Sequence, residues 1–318
     1  MKRIKEFRFG DKATLVLRTS DLQIKKTTSN ADYASFVGFD GVDLIECKVW
    51  SLSEEGKEIL KNGEIYVCDG TMKDYQGKMQ FNISSFRKIT EEDGINQAEY
   101  YEYAPLDDKT LQDHILHYVA RIENQILKSL VVSLLKKHYK EYFTHPAAVS
   151  IHHNYISGLS YHTYSMLKLS DAYLNLYNFL NKDLVYAGII LHDLGKVYEL
   201  SGPKGTEYTI QGNLLGHISI GANLIYHEAC LLKVEQSVEA ISLQHLILAH
   251  HGQMEYGSPK TPQIAEAELL HLLDLSDSRM AALDKEITNT KKGEFTSPIF
   301  AFERKMFYVP DIKSEIDK

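Results

Sequence analysis

Between Lys12 and Ile89 apolar residues recur in short runs and at alternate positions, the period of strands with one buried face. The clearest case is 78–87, where Met79, Phe81 and Ile83 alternate with Gln80, Asn82 and Ser84. Four further runs (13–17, 33–39, 42–50 and 64–72) predict four more strands, with a polar, lysine-containing stretch at 25–30 and a short helix at 53–61. Residues 91–107 are acidic and rich in tyrosine, and predict a linker ending near Pro105. From there helical spacing dominates, predicting helices at 110–142, 158–180, 184–191, 215–232, 238–251 and 262–287. Thr261 before Pro262 places an N-cap residue ahead of a proline at the first helical position, which predicts the start of the last helix.

Five strands with a helix after the third is the order of an OB-fold barrel. A chain of 318 residues, 44% of them hydrophobic, is long for one core and can fill two. The expected architecture is therefore multi-domain, an N-terminal β-barrel over 1–90, a linker over 91–107 and an all-α domain with a C-terminal tail over 108–318. No apolar stretch follows the basic N-terminus, and none is long enough to span a bilayer, so no membrane partner is expected and the protein should be cytoplasmic. Cys47, Cys68 and Cys230 are too far apart in sequence for a Cys-x-x-Cys metal site and read as buried thiols. Net charge is −8, which excludes coating of nucleic acid by bulk electrostatics. Residues 1–90 carry 15 Lys+Arg against 13 Asp+Glu, so the excess acid lies in the remainder, together with all 14 histidines.

Those histidines give the chain its chemistry. His162, the adjacent pair His192-Asp193, His217, the doublet His250-His251 and Asp274 follow one another along successive predicted helices. Mixed nitrogen and oxygen donors suit a divalent metal. Taken singly, His162 or Asp274 reads as a hydrogen-bonded core or surface residue, but a carboxylate on an apolar stripe such as that of Leu270 and Leu273 needs compensation. A metal ion supplies it. Neighbouring helical residues point about 100° apart, so the sequence does not choose between His250 and His251.

The order H…HD…D, carried by His162, His192, Asp193 and Asp274, resembles the HD superfamily of metal-dependent phosphohydrolases. That resemblance implies that these four hold one metal and that Asp193 can bridge to a second, for which His217 and His250-His251 hold the places. With the barrel in front, the runs His152-His153-Asn154-Tyr155, Leu191-His192-Asp193-Leu194-Gly195-Lys196, Ala249-His250-His251-Gly252 and Tyr256-Gly257-Ser258-Pro259 resemble the YhaM family of bacterial 3′–5′ exoribonucleases. The resemblance covers nearly the whole chain. It implies release of nucleoside monophosphates from the 3′ end of single-stranded RNA, with single-stranded DNA as a second candidate. It also implies one or two divalent ions per chain, Mn²⁺ foremost, with Co, Fe, Ni or Zn as alternatives.

Two metals can activate a water and stabilise the leaving oxygen, so no side-chain nucleophile is required. Asp193 would fix the metal pair. Lys196 either neutralises developing phosphate charge or is a cation at a helix C-terminus. His153 and Arg279 are candidate substrate contacts in the helical domain, Arg279 having a surface ion pair as its other reading, and Asp277 supports the site without ligating. In the barrel, cations and aromatics mix (Lys25, Lys26, Tyr33, Phe36, Lys48, Trp50, Tyr75, Lys78, Phe81), as in OB-folds that stack bases beside a charged groove. Of these, Tyr75 in the turn is expected to be exposed, with Lys78 beside it, and each other aromatic reads individually as structural. Two other functions compete, hydrolysis of free nucleotides and non-catalytic single-strand binding. The aromatic tail after Glu294 packs on its own domain or on a second copy, which leaves a homo-oligomer open.

Overall fold

The computed structural model describes residues 2–28, 30–149 and 154–312. The chain divides into two compact units, Met1–Glu102 with Gly202–Glu207, and Tyr103–Ser201 with Tyr208–Lys318.

The first unit is a closed five-stranded barrel, the OB-fold expected from the strand pattern. Its strands β1 (Lys12–Lys26), β2 (Asp32–Phe39), β3 (Leu44–Val49), β4 (Ile65–Tyr75) and β5 (Lys78–Lys88) are ordered β1-β2-β3-β5-β4, with β1 closing on β4. β1 serves two neighbours: Lys12–Arg18 pair with β4, and beyond a register shift between Ser20 and Gln23 the strand pairs with β2. The shift includes Asp21 at φ +53°, and the resulting bend lets one strand turn a barrel corner. The polar stretch at 25–30 therefore begins inside β1. Helix α1 (Glu54–Ile59) follows β3, capped by Ser53, whose hydroxyl accepts from the Gly56 amide at 3.0 Å. Leu15, Leu17, Phe36, Met72 and Phe81 fill the interior.

The expected linker is corrected in part. Residues up to Glu102 belong to the barrel unit: Tyr100 and Tyr101 are buried, and the Tyr101 hydroxyl donates to the Gly63 carbonyl at 2.9 Å. Tyrosines that read as linker composition are there for their apolar rings. Gly202–Glu207 joins the same unit through a glycine contact, since a Cβ on Gly63 would lie 2.0 Å from the Gly205 nitrogen.

The second unit is helical: α2 (Asp108–Arg121), α3 (Gln125–Lys137), α4 (Tyr139–Thr144), α5 (Gly158–Leu176), α6 (Lys182–Leu191), α7 (Lys196–Glu199), α8 (Ile210–Leu232), α9 (Val238–Ala249) and α10 (Ala265–Thr288). The run 110–142, expected as one helix, is three. Asn124 breaks it, its side chain accepting from the amides of Ile126 and Leu127 while Asp183 takes those of Glu123 and Asn124. Leu184–Leu191 are all buried, because α6 packs against α2, α3, α5, α9 and α10. A helix apolar all round is a central one, and this one delivers His192-Asp193 at its C-terminal end. No helix among the described residues is long and apolar enough to cross a membrane. Cys47 and Cys68 are buried free thiols as expected, whereas Cys230 is exposed on α8. Described residues of the C-terminal segment pair with one another (Phe295 with Tyr308, Ile299 with Lys305) and the turn Phe300–Phe302 packs on α10.

Candidate metal centre

Local backbone features converge the donors. Past His192, the turn to α7 contains Gly195, where a Cβ would meet the His217 carbonyl oxygen at 2.1 Å. Glycine there lets α8 come close enough to bring His217 to Asp193. Inside α8, Gly216 sits at φ +71°, ψ 154°, a kink that releases the amide of the next residue from the helical ladder. That amide, of His217, donates to Glu199 Oε1 at 3.0 Å, and the same oxygen lies 3.0 Å from His217 Nδ1. α5 contributes His162, the end of α9 contributes His250 and His251, and α10 contributes Asp274 and Asp277.

Four imidazoles are oriented alike. His192 Nδ1 is 2.8 Å from the Ile189 carbonyl, His250 Nδ1 2.7 Å from that of Ile247, His162 Nδ1 2.6 Å from Asp277 Oδ2, and His217 Nδ1 faces Glu199. Each Nδ1–H is thereby donated outward, and the Nε2 lone pairs turn to a common interior, the arrangement that metal-ligating histidines show. His162 Nε2 lies 3.3 Å from both His192 Nε2 and Asp274 Oδ1, and His192 Nε2 is 3.2 Å from Asp193 Oδ2. Donors about 2.1 Å from one ion are roughly 3.0–3.4 Å apart, so these spacings are those of a shared cation. Asp193 turns its other oxygen the opposite way, 3.5 Å from His217 Nε2 and 3.8 Å from His250 Nε2. His217, His250 and His251 offer ligand atoms within 4.8 Å of one another, as do His162, His192 and Asp193.

The residues fit divalent metal binding on a direct test. Asp193 Oδ1, His217 Nε2 and His250 Nε2 are buried without a hydrogen-bond partner among the described residues, a costly state unless an ion fills it. The electrostatics agree. Burial, with the neighbouring imidazoles, holds His250 well below its ordinary pKa, leaving it a neutral donor. Burial opposes charge on His162 too, but Asp274 and Asp277 outweigh it and raise the ring to about 10, so protons and metal compete for this place. Asp193 stays ionised far below the usual carboxylate range despite burial, held by His192, Lys196 and His217.

All seven expected metal donors thus lie in one region, and both members of the 250–251 doublet face it. Lys196 is there too, its ammonium 2.7 Å from Asp193 Oδ2, with burial outweighed by that carboxylate so that its pKa is raised. Arg279 is placed elsewhere: it is exposed, its guanidinium 5.0 Å from the Phe302 ring, and not among the residues lining the adjoining cavity. Its neighbour among the described residues is thus an aromatic ring and not the acidic partner of a surface ion pair, and contact with substrate stays a proposal. His153 lies outside the described residues. Tyr75 and Lys78 pair across the β4–β5 hairpin end, where Gln76 and Gly77 take positive φ, and Tyr75 is 56% exposed. The sequence offered no sign of Glu199. Asp277→Asn and Glu199→Gln, which loosen one histidine each, are expected to weaken metal affinity about 10–100-fold; equilibrium dialysis against a chelator series checks this.

Residues 159–278 match the HD domain family model. Over 310 residues the chain is 40% identical to the 3′-5′ exoribonuclease YhaM of Listeria welshimeri, covering 97% of this chain and 98% of that one. It is 38% identical over 313 residues to the 3′-5′ exoribonuclease YhaM of Geobacillus sp., covering 98% and 96%. Among solved structures it is similar to the second OB-fold domain of replication protein A from Methanococcus maripaludis over 28% of this chain and 93% of that one, with 15% identity and a TM-score of 0.23, too low to add to the strand order. With such identity along nearly the full length of both chains, this protein belongs to the YhaM family of 3′–5′ exoribonucleases.

Proposed function

We propose that the protein is a metal-dependent 3′–5′ exonuclease that hydrolyses single-stranded RNA, and single-stranded DNA less centrally, to nucleoside 5′-monophosphates. The observation that carries the reading is Asp193, whose two carboxylate oxygens face two separate histidine groups. We read a carboxylate so placed as joining two cation sites, hence two ions per chain; the donor types suit several divalent ions, and Mn²⁺ is put foremost on the family alone. When bound, such a pair supplies an activated water and neutralises charge on the scissile phosphate. His162, His192 and Asp274 would hold the first ion, and His217, His250 and His251 the second. Lys196, lining the cavity beside Asp193, is assigned to the phosphate, where its fixed positive charge offsets what develops as the ester bond lengthens.

The barrel supports a strand-binding role by its own geometry. Tyr33 and Trp50 stack on the outer face with ring centroids 5.1 Å apart and planes 23° from parallel, and Lys48 lies 5.9 Å from the Tyr33 ring. Trp50 is 50% exposed. Aromatic faces beside a cation are what unstacked bases bind, so Tyr33 and Trp50 join Tyr75 and Lys78 as proposed contacts. The three free cysteines support a reducing, cytoplasmic setting for this activity.

The test uses protein stripped of metal and a 5′-labelled single-stranded RNA. Mn²⁺ add-back is expected to restore a ladder that shortens from the 3′ end with mononucleotide products, and a 3′-phosphate should stop it. Internal cuts, or hydrolysis of free nucleotides with no action on the strand, would reject the reading.

A further inference from the structure

Beside the metal donors lies a cavity of about 420 Å³ whose lining includes Lys196, Tyr208, His217, His271, Asp274 and Ser278. That volume is at the low end of the roughly 300–1,000 Å³ typical of small-molecule sites and is enough for one nucleotide. His271, Asp274 and Ser278 follow at i, i+3 and i+7 on α10 and so share one face. A phosphate at the metal donors around Asp274 therefore puts its own nucleoside within about one helical turn of His271 or Ser278.

Of those two, Ser278 already donates its hydroxyl hydrogen to the Leu275 carbonyl at 3.2 Å. His271 is held differently. Its Nδ1 is 3.1 Å from the His250 carbonyl, and a Cβ on Gly252 would lie 2.4, 2.4 and 2.6 Å from Cε1, Nε2 and Cδ2. Near-equal distances to three ring atoms mean that the ring's face rests on the bare Cα of Gly252, a residue at φ +77°. Face and Nδ1 edge are thus both fixed, and Nε2 has no hydrogen-bond partner among the described residues. With the proton on Nδ1, Nε2 is an acceptor only. The ring is a preorganised acceptor in the wall of a nucleotide-sized cavity.

We propose that this cavity receives the 3′-terminal nucleoside and that His271 accepts the hydrogen bond of its 3′-hydroxyl, making His271 the residue that recognises a free 3′ end. The proposal rests on the exonuclease reading above. A terminal hydroxyl is a donor matched to Nε2. A 3′-phosphate presents oxygen lone pairs to a nitrogen lone pair, and a 3′-deoxy end leaves the acceptor unmatched. Tyr208, 54% exposed, offers its ring to the base without reading the sugar.

The experiment compares full-length, Mn²⁺-loaded protein on two RNAs identical except for a terminal 3′-hydroxyl or 3′-deoxy nucleotide. The wild type is expected to favour the hydroxyl end by about tenfold or more in kcat/KM, the scale of one well-made hydrogen bond to a matched group. His271→Phe keeps a flat ring on Gly252 but removes the acceptor, and should bring the ratio close to one by lowering only the hydroxyl substrate. His271→Gln, which keeps an acceptor, should retain part of the preference. Metal content is measured for each variant. Equal rates of the wild type on both ends, a preference that follows the 2′-hydroxyl instead, or equal losses on both substrates in His271→Phe would each overturn the assignment. Cleavage without hydroxyl preference rejects only the pocket, whereas no cleavage of either RNA rejects the exonuclease reading with it.

Discussion

Asp193→Asn is expected to lower the hydrolysis rate by about 10³-fold or more while single-strand affinity stays near that of the wild type. Removing a single charge-stabilising group from an active site already costs about 10²–10³, and Asp193 has more than one role. Its Oδ2 faces His162 and His192, its Oδ1 faces His217 and His250, and Lys196 pairs with it. An amide offers one weak oxygen donor and turns an N–H toward the remaining place, so one ion loses its anionic ligand whichever way the amide lies. The outward-facing Tyr33 and Trp50 belong to the other unit and are untouched. Single-turnover rates with metal content measured on the same sample give the answer. Near wild-type turnover by a metal-loaded Asp193→Asn protein would remove the two-site assignment.

The second large effect is expected from Tyr33→Ala combined with Trp50→Ala. Stacking is worth roughly 1–3 kcal/mol per base in such platforms, and each 1.4 kcal/mol is tenfold, so affinity for single strands should fall about 10–100-fold or further. Hydrolysis of dinucleotides should change little. Because these rings carry no charge, the dependence of log affinity on log salt should keep its slope, which counts phosphate contacts. Fluorescence anisotropy across a salt series measures both quantities. A changed slope with unchanged affinity for long strands would place the substrate platform elsewhere on the barrel.

These two residues also mark where the sequence stops being informative. Phe36 is inward, so its odd-numbered neighbours Tyr33, Ser35 and Val37 face outward, yet nothing in the run 33–39 says which parity meets the core until the register with β3 is known. Barrel order and helical periods are local signals and were legible. The break at Asn124 was not, because a capping residue inside an amphipathic run leaves the apolar period intact on both sides. Similarly, Thr261-Pro262 has the composition of a helix start, but the Gln263 amide donates to His245 Nε2 at 2.9 Å and the chain stays extended to Ile264, which is the N-cap. Tertiary docking moved the boundary by three residues. In the site, the donors could be listed from their order because metal chemistry restricts residue types. Glu199 and His271 could not, since a carboxylate or imidazole that serves through the fold carries no local mark.

The most direct measurement of the central claim is one turnover of a 5′-labelled single-stranded RNA in H₂¹⁸O with Mn²⁺-loaded protein. If water is the nucleophile and the 3′-terminal phosphodiester the target, each released nucleoside 5′-monophosphate carries one ¹⁸O on its phosphate, and the labelled strand is one nucleotide shorter. Release of a nucleoside 3′-monophosphate, a phosphate without ¹⁸O, or an unchanged rate after the metal is removed would contradict the account.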